Sequence, residues 1–310
     1  MAIFNIYADA PKGALPLIEN NPKLNDETLY VPSKGLIGAL NVALQLNQPL
    51  LLTGEPGTGK TQFAHHIAAH FGLDKPLVFN AQTTSQAKDL FYRYDALAHF
   101  QFAQTQRDTL LTDELVEKKF IHYQGLGKAI KEGKRAVVLL DEIDKAPRDF
   151  PNDILAALED LTFTVSEVGK TFKVGATHRP IIIMTSNSEK NLPDAFLRRV
   201  VYHHILFPSD TELLRIVSSK IDGYNEAELT ALIAHFEAIR SGKMVKMSKN
   251  PATAELIHWI FLLKKANFPA AKIADLSDLN KSERDLLTQS YAVLAKNRND
   301  LQNLQKILRG

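Results

Sequence analysis

The run Gly54-Glu55-Pro56-Gly57-Thr58-Gly59-Lys60-Thr61 constrains this chain more than any other stretch. It directly follows Pro49-Leu50-Leu51-Leu52-Thr53, a short apolar run that reads as a buried strand, and it directly precedes Thr61–Phe71, whose apolar residues recur at helical spacing. A glycine-rich turn between strand and helix allows successive backbone N–H groups to face an anion, and the positive end of the helix adds to them. In that arrangement Lys60 neutralises outer phosphates and the Thr61 hydroxyl ligates Mg²⁺.

The rest of the chain supplies a sheet for this turn. Strand-length apolar runs recur at Leu77–Asn80, Ala136–Asp141, Ile181–Thr185 and Val200–Leu206, with helical spacing at Gly35–Gln45 ahead of the first strand. Short apolar strands alternating with helices imply an α/β fold with a mostly parallel sheet covered on both faces. Phe163–Lys173 alternates like a hairpin inserted before the fourth strand. Past Pro208 the strands stop. Ser209/Glu212 and Asn225/Glu228 have capping-box spacing, Pro251 opens a helix running through Trp259 and Leu263, and Ser290–Leu308 is predicted as one last helix. We therefore expect a surface leader over 1–30 carrying Pro11, Pro16 and Pro22, an α/β phosphate-loop core over 31–208, and a smaller all-helical lid over 209–310. The 310 residues agree with a prior of about 150 per compact unit.

A metal-bound nucleotide needs an acidic contact from a neighbouring strand, and Asp141-Glu142 ends the buried run Ala136–Leu140. Asp141 is placed to hold hydrated Mg²⁺, Glu142 to orient and polarise an attacking water. Other chemistries find less support. The chain has no Cys, which removes disulfides, thiolate metal sites and cysteine nucleophiles, and its net charge of +2 names no polyanionic partner. No apolar run approaches the roughly 20 residues of a membrane helix, and Met1–Pro16 lacks the basic and apolar regions of a secretory signal, so a cytoplasmic setting is expected. The basic stretch Arg240–Lys249 has no interleaved aromatics and reads as a solvated connector rather than a nucleic-acid contact. The pairs His65/His66 and His203/His204 diverge to different faces instead of converging on a metal.

Taken together, Lys60 and Asp141-Glu142 resemble the Walker A and Walker B residues of AAA+ ATPases, a P-loop NTPase class. Leu90–Leu97, Gly125–Ala129 and Asp141–Pro147 narrow the resemblance to the MoxR and dynein-related branch. The resemblance implies ATP with Mg²⁺, and a sensor 1 role for Asn187 beside Glu142. It also implies an arginine finger at Arg199, or at its neighbour Arg198, acting on an adjoining subunit's nucleotide in a homo-oligomer, a hexameric ring by that resemblance. It implies remodelling, assembly or activation of a client protein, for which a von Willebrand A-type domain is the suggested feature, with the 163–173 hairpin facing the pore or the partner. One departure stands out: Asn250–Glu255 holds no arginine where the family places sensor 2, with Lys249 as the substitute at hand. A nucleotide-controlled assembly switch with slow turnover is the alternative that this departure motivates.

Overall fold

The computed structural model describes Tyr7, Lys12, Gly13 and residues 21–105, 110–175, 178–188 and 192–308; the part of the expected leader that carries Pro11 and Pro16 lies outside them. Two compact units result. One holds Pro32–Gly54 and Lys60–Ile205; the other holds the described residues up to Val31, together with Glu55–Gly59 and those from Leu206 onward.

The first unit is built on five parallel strands in the order β2-β5-β8-β1-β9, where β1 is Leu50–Gly54, β2 Leu77–Asn80, β5 Val137–Asp141, β8 Ile181–Thr185 and β9 Val201–Ile205. The helix α1 (Lys34–Leu46) leads into β1; parallel neighbours need crossover connections, and these carry α2 (Lys60–His70), α5 (Gly125–Glu132) and α6 (Phe150–Asp160) along the chain between strands. A sheet covered on both faces selects unbroken apolar strands rather than alternating ones, and Leu50–Leu52 and Val137–Leu140 are accordingly all at 0% exposure. The strand at the sheet's end, β9, carries Tyr202, His203 and His204 and is only partly covered.

The sequence pattern misses an excursion within this unit. β3 (Tyr92–Tyr94) pairs antiparallel with β4 (Ile121–Tyr123), and the segment between them carries α3 (Ala96–Thr105) and α4 (Asp113–Phe120). Three-residue strands are too short to show a period, and α3 buries none of its side chains, so neither leaves an amphipathic signature. The expected hairpin is present as β6 (Thr162–Val165) and β7 (Lys170–Lys173). It is pinned in place: Phe163 stacks on Phe91 at 4.9 Å and on Phe172 at 5.2 Å, Lys170 pairs with Glu117 at 2.9 Å, and Lys88 pairs with Glu167 at 2.9 Å. Burial works against the Glu117 charge, but Lys131, Lys170 and Tyr123 outweigh it and hold its carboxyl at about 2.

The second unit contains α8 (Asp210–Lys220), α9 (Glu226–Arg240), α10 (Thr253–Lys265), α11 (Lys281–Ser290) and α12 (Arg298–Lys306); the short α7 (Asp194–Leu197) precedes β9 in the first. The capping boxes at Ser209/Glu212 and Asn225/Glu228 start α8 and α9 as expected. The single helix predicted over Ser290–Leu308 is instead the end of α11, a turn, and α12. Asn297 accepts the N–H of Asp300 and so starts a new helix, while Asn280 and Glu283 form a further capping box that starts α11. Asp300, 2% exposed, accepts from the N–H groups of Ser248 and Lys249 and from the Asn297 amide. Burial opposes its charge, yet these donors prevail and keep its pKa low.

Trp259, Tyr291, Phe236 and Leu232 form the centre of this unit's core. His235 is buried among them, stacked on Trp259 and Tyr291, with Nε2 2.9 Å from the Tyr291 hydroxyl. Burial pushes its pKa down to about 4. A neutral imidazole costs nothing above its unfolded pKa near 6.5, so stability is complete there and falls as pH drops toward 4, by about 3 kcal/mol over that interval. Urea unfolding followed by fluorescence of Trp259, the chain's one tryptophan, should show this loss. His235→Phe should flatten it, and an unchanged slope in that variant would assign the loss to another group. Among the described residues no helix is long and apolar enough to cross a membrane.

Candidate active site

Register brings the chemistry together. Leu52 of β1 pairs with Thr185 of β8, and Leu140 of β5 pairs with Met184, so Asp141 and Thr185 end their strands at one level. Ligands of open α/β sheets bind outside these carboxyl ends. Because β8 lies between β1 and β5, its last residue meets both neighbours. The Thr185 hydroxyl, 1% exposed, donates to Asp141 Oδ1 in a short hydrogen bond of 2.5 Å and accepts the Glu142 N–H at 2.9 Å. From the first turn of α2, the Thr61 hydroxyl donates to Asp141 Oδ1 at 3.0 Å. Thr61, Asp141, Thr185 and Glu142 thus form one continuous chain of polar contacts.

Glu142 has φ 55° and ψ 48°, a left-handed conformation that costs a non-glycine residue about 1–2 kcal/mol. Its N–H is fixed by Thr185, and its carboxylate forms an ion pair with Lys145. That hydrogen bond raises the Lys145 pKa. Lys60, 8% exposed, donates from Nζ to the Gly54 carbonyl at 2.8 Å. Burial lowers its pKa, and Asp144, Asp141 and Glu142 oppose that shift. Asn187 is exposed, and its backbone N–H donates to Asp144 Oδ1 at 3.2 Å. It is the backbone of Asn187, and the hydroxyl of Thr185, that tie the end of β8 to the segment after β5. Arg198 and Arg199 are both exposed at the end of α7, with Arg199 Nε 3.2 Å from Glu159 Oε1.

The turn of the phosphate loop, Glu55–Gly59, clusters with the helical unit. Glu55 and Pro56 are exposed, whereas Thr58 is buried and donates both its N–H, at 3.4 Å, and its hydroxyl, at 2.8 Å, to the Glu55 carbonyl. Gly57 and Gly59 have φ of 81° and 88°, and both are held closely: a Cβ on Gly57 would lie 2.9 Å from the Ala252 Cβ, and one on Gly59 2.9 Å from the Tyr30 ring. Two residues with these backbone angles and no side chain suit the turn to the approach of a phosphate. For a metal, Thr61 and Asp141 offer one hydroxyl and one carboxylate. Among the described residues no cluster of three or more His, Asp or Glu forms a metal cage by itself. That donor set fits Mg²⁺, which keeps waters and takes phosphate oxygens alongside one or two protein groups.

Two contributors escaped the sequence reading. Thr185 carried a signal, a polar residue closing an apolar strand, but its use depends on strand order. Arg240, read as part of a solvated connector, has only 11% of its side chain exposed and lies 2.7 Å from the Glu55 carboxylate. Lys243, Lys246 and Lys249 of the same stretch are exposed, as that reading expected; the Lys249 N–H donates to Asp300.

Residues 49–200 match the AAA domain, dynein-related subfamily. The chain therefore carries, over just under half of its length, an AAA domain of the kind found in ATP-hydrolysing P-loop proteins. It is 25% identical to protein NorQ of Paracoccus denitrificans over 86% of this chain and 94% of that protein. It is 24% identical to the uncharacterized protein YehL of Escherichia coli over 74% of this chain and 66% of YehL, so it spans just under two thirds of that relative. The RuvB Holliday junction branch migration motor of Thermotoga maritima aligns with a TM-score of 0.41 at 14% identity, over 87% of this chain and 79% of that one.

Proposed function

We propose that the chain hydrolyses ATP with Mg²⁺ to remodel, assemble or activate a partner protein, in the manner of the MoxR branch, as a cytoplasmic homo-oligomeric ring that we take to be hexameric. The observation that carries the hydrolytic part is the chain of contacts from Thr61 through Asp141 and Thr185 to Glu142. Its logic is positional: one hydroxyl touches both the acid placed at the metal and the backbone of the acid placed at the water. In this reading Gly54–Thr61 hold the phosphates, and Thr61 and Asp141 are the metal residues. Mg²⁺ neutralises charge on the phosphate oxygens when bound. Glu142 orients and polarises the attacking water, Asn187 supports it as the sensor 1 residue, and Arg199, or Arg198, reaches an adjoining protomer's nucleotide. Two observations support a trans role: the guanidinium is exposed, and an exposed pair such as that with Glu159 holds it by about 0–1 kcal/mol.

The client, which we propose carries a von Willebrand A-type domain, rests on the MoxR resemblance. A second reading, an assembly switch with slow turnover, is favoured by the Glu142–Lys145 ion pair, which holds the proposed water-orienting carboxylate on a cation. ATPase rate with and without client separates them, since a remodeller is stimulated and a switch is not. The decisive test of the site is Lys60→Ala. Titration with a fluorescent ATP analogue should show affinity reduced at least about 100-fold, comparable to losing a buried charge contact of roughly 3 kcal/mol. Unchanged affinity would overturn the phosphate-loop assignment.

A further inference from the structure

Arg240 ends α9, and its guanidinium is held on three sides. Nη2 donates to Glu55 Oε2 at 2.7 Å, Nη1 donates to the Pro251 carbonyl at 2.7 Å, and the guanidinium carbon lies 3.7 Å from the centroid of the Phe207 ring. This differs from an ordinary surface ion pair, in which two flexible side chains are ordered for little return. The arginine is already fixed by stacking and by a carbonyl, so the carboxylate meets a pre-organised donor.

Its partner is the second residue of the phosphate loop. Glu55 anchors the turn twice, through its carbonyl to Thr58 and through its carboxylate to Arg240. Pro251, the other acceptor, immediately precedes Ala252 and α10, and Ala252 is the residue against which Gly57 is packed. Arg240 therefore fastens three things within one unit: the end of α9, the approach to α10 and the loop turn. The first turn of α10 offers Glu255 and no cation, whereas the end of α9 brings the Arg240 guanidinium to the loop turn.

We propose that Arg240 is a positioning residue for nucleotide binding, holding the turn Glu55–Gly59 through Glu55 in the shape that receives phosphate. The proposal rests on the reading of the loop as a nucleotide site. The arginine acts through Glu55, so its effect on nucleotide depends on that carboxylate being present. Lysine does not replace it, because an ammonium presents neither the two-pronged geometry nor the planar face that stacks on Phe207.

The test is a thermodynamic cycle on the affinity of Mg²⁺ and a fluorescent ADP analogue, with Arg240→Met, Glu55→Ala and the double variant. Each single change should weaken binding about tenfold, and the double should be no weaker than the worse single, the non-additivity expected of residues acting as a pair. Arg240→Lys should stay within about threefold of Arg240→Met. Unfolding followed by Trp259 fluorescence shows that each variant is folded; should Arg240→Met not fold, Glu55→Ala and Arg240→Lys provide the same reading, each with weakened binding. Parent-like affinity in folded single variants, or losses that multiply in the double, would overturn the role of the pair. A parent protein that does not bind the analogue at all would overturn the nucleotide reading and the inference with it.

Discussion

Glu142→Gln is expected to keep ATP affinity within about twofold of the parent and to lower turnover by a factor of about 10²–10⁴, the range for loss of a positioned general base. The substitution is close to isosteric. It leaves the contacts that set the backbone untouched, because Thr185 accepts from the Glu142 N–H and not from its side chain. What it removes is the carboxylate that polarises water and, with it, the ion pair to Lys145. Steady-state hydrolysis together with analogue binding measures both halves. Near-normal hydrolysis would exclude Glu142 as the water-orienting group; lost binding would mean that the residue holds the nucleotide instead.

For Arg199→Ala the expected result is a fall in ATPase activity of about 10³-fold or more, as for loss of an arginine finger. The variant should fold as the parent does, since the pair it breaks with Glu159 has 51% and 61% of its side chains exposed. Mixing it with Lys60→Ala subunits should restore part of the activity, because one subunit supplies an intact phosphate loop and the other an intact arginine. Rescue across a range of mixing ratios requires that subunits meet. Failure of rescue, with mixed oligomers shown to form, would confine Arg199 to its own protomer; near-parent activity in Arg198→Ala beside the loss in Arg199→Ala would assign the finger to Arg199, and the reverse pattern to Arg198.

The parts of the site that are legible in the sequence are those written locally. Pro49–Thr53, the glycine turn and Lys60 adjoin in the chain, and Asp141 closes an apolar run, so period and turn chemistry suffice to find them. The helical core around Trp259 and the capping boxes at Ser209 and Asn225 are local in the same sense. What escapes is set by distant pairing. Thr185 matters because β8 is inserted between β1 and β5, and no window of sequence contains that order. Arg240 and Glu55 are 185 residues apart, so a cation in a basic stretch reads as solvated when its partner lies elsewhere. The excursion at 92–123 is missed for a different reason, since its strands are shorter than one detectable period.

The left-handed backbone at Glu142 has a consequence for how this protein can be improved. Glycine or asparagine would sit there at lower conformational cost, yet either would discard the carboxylate. Relaxing this torsion would therefore cost the site its carboxylate, so thermal robustness has to be sought in the surrounding scaffold, where Leu161 is also left-handed at φ 47°.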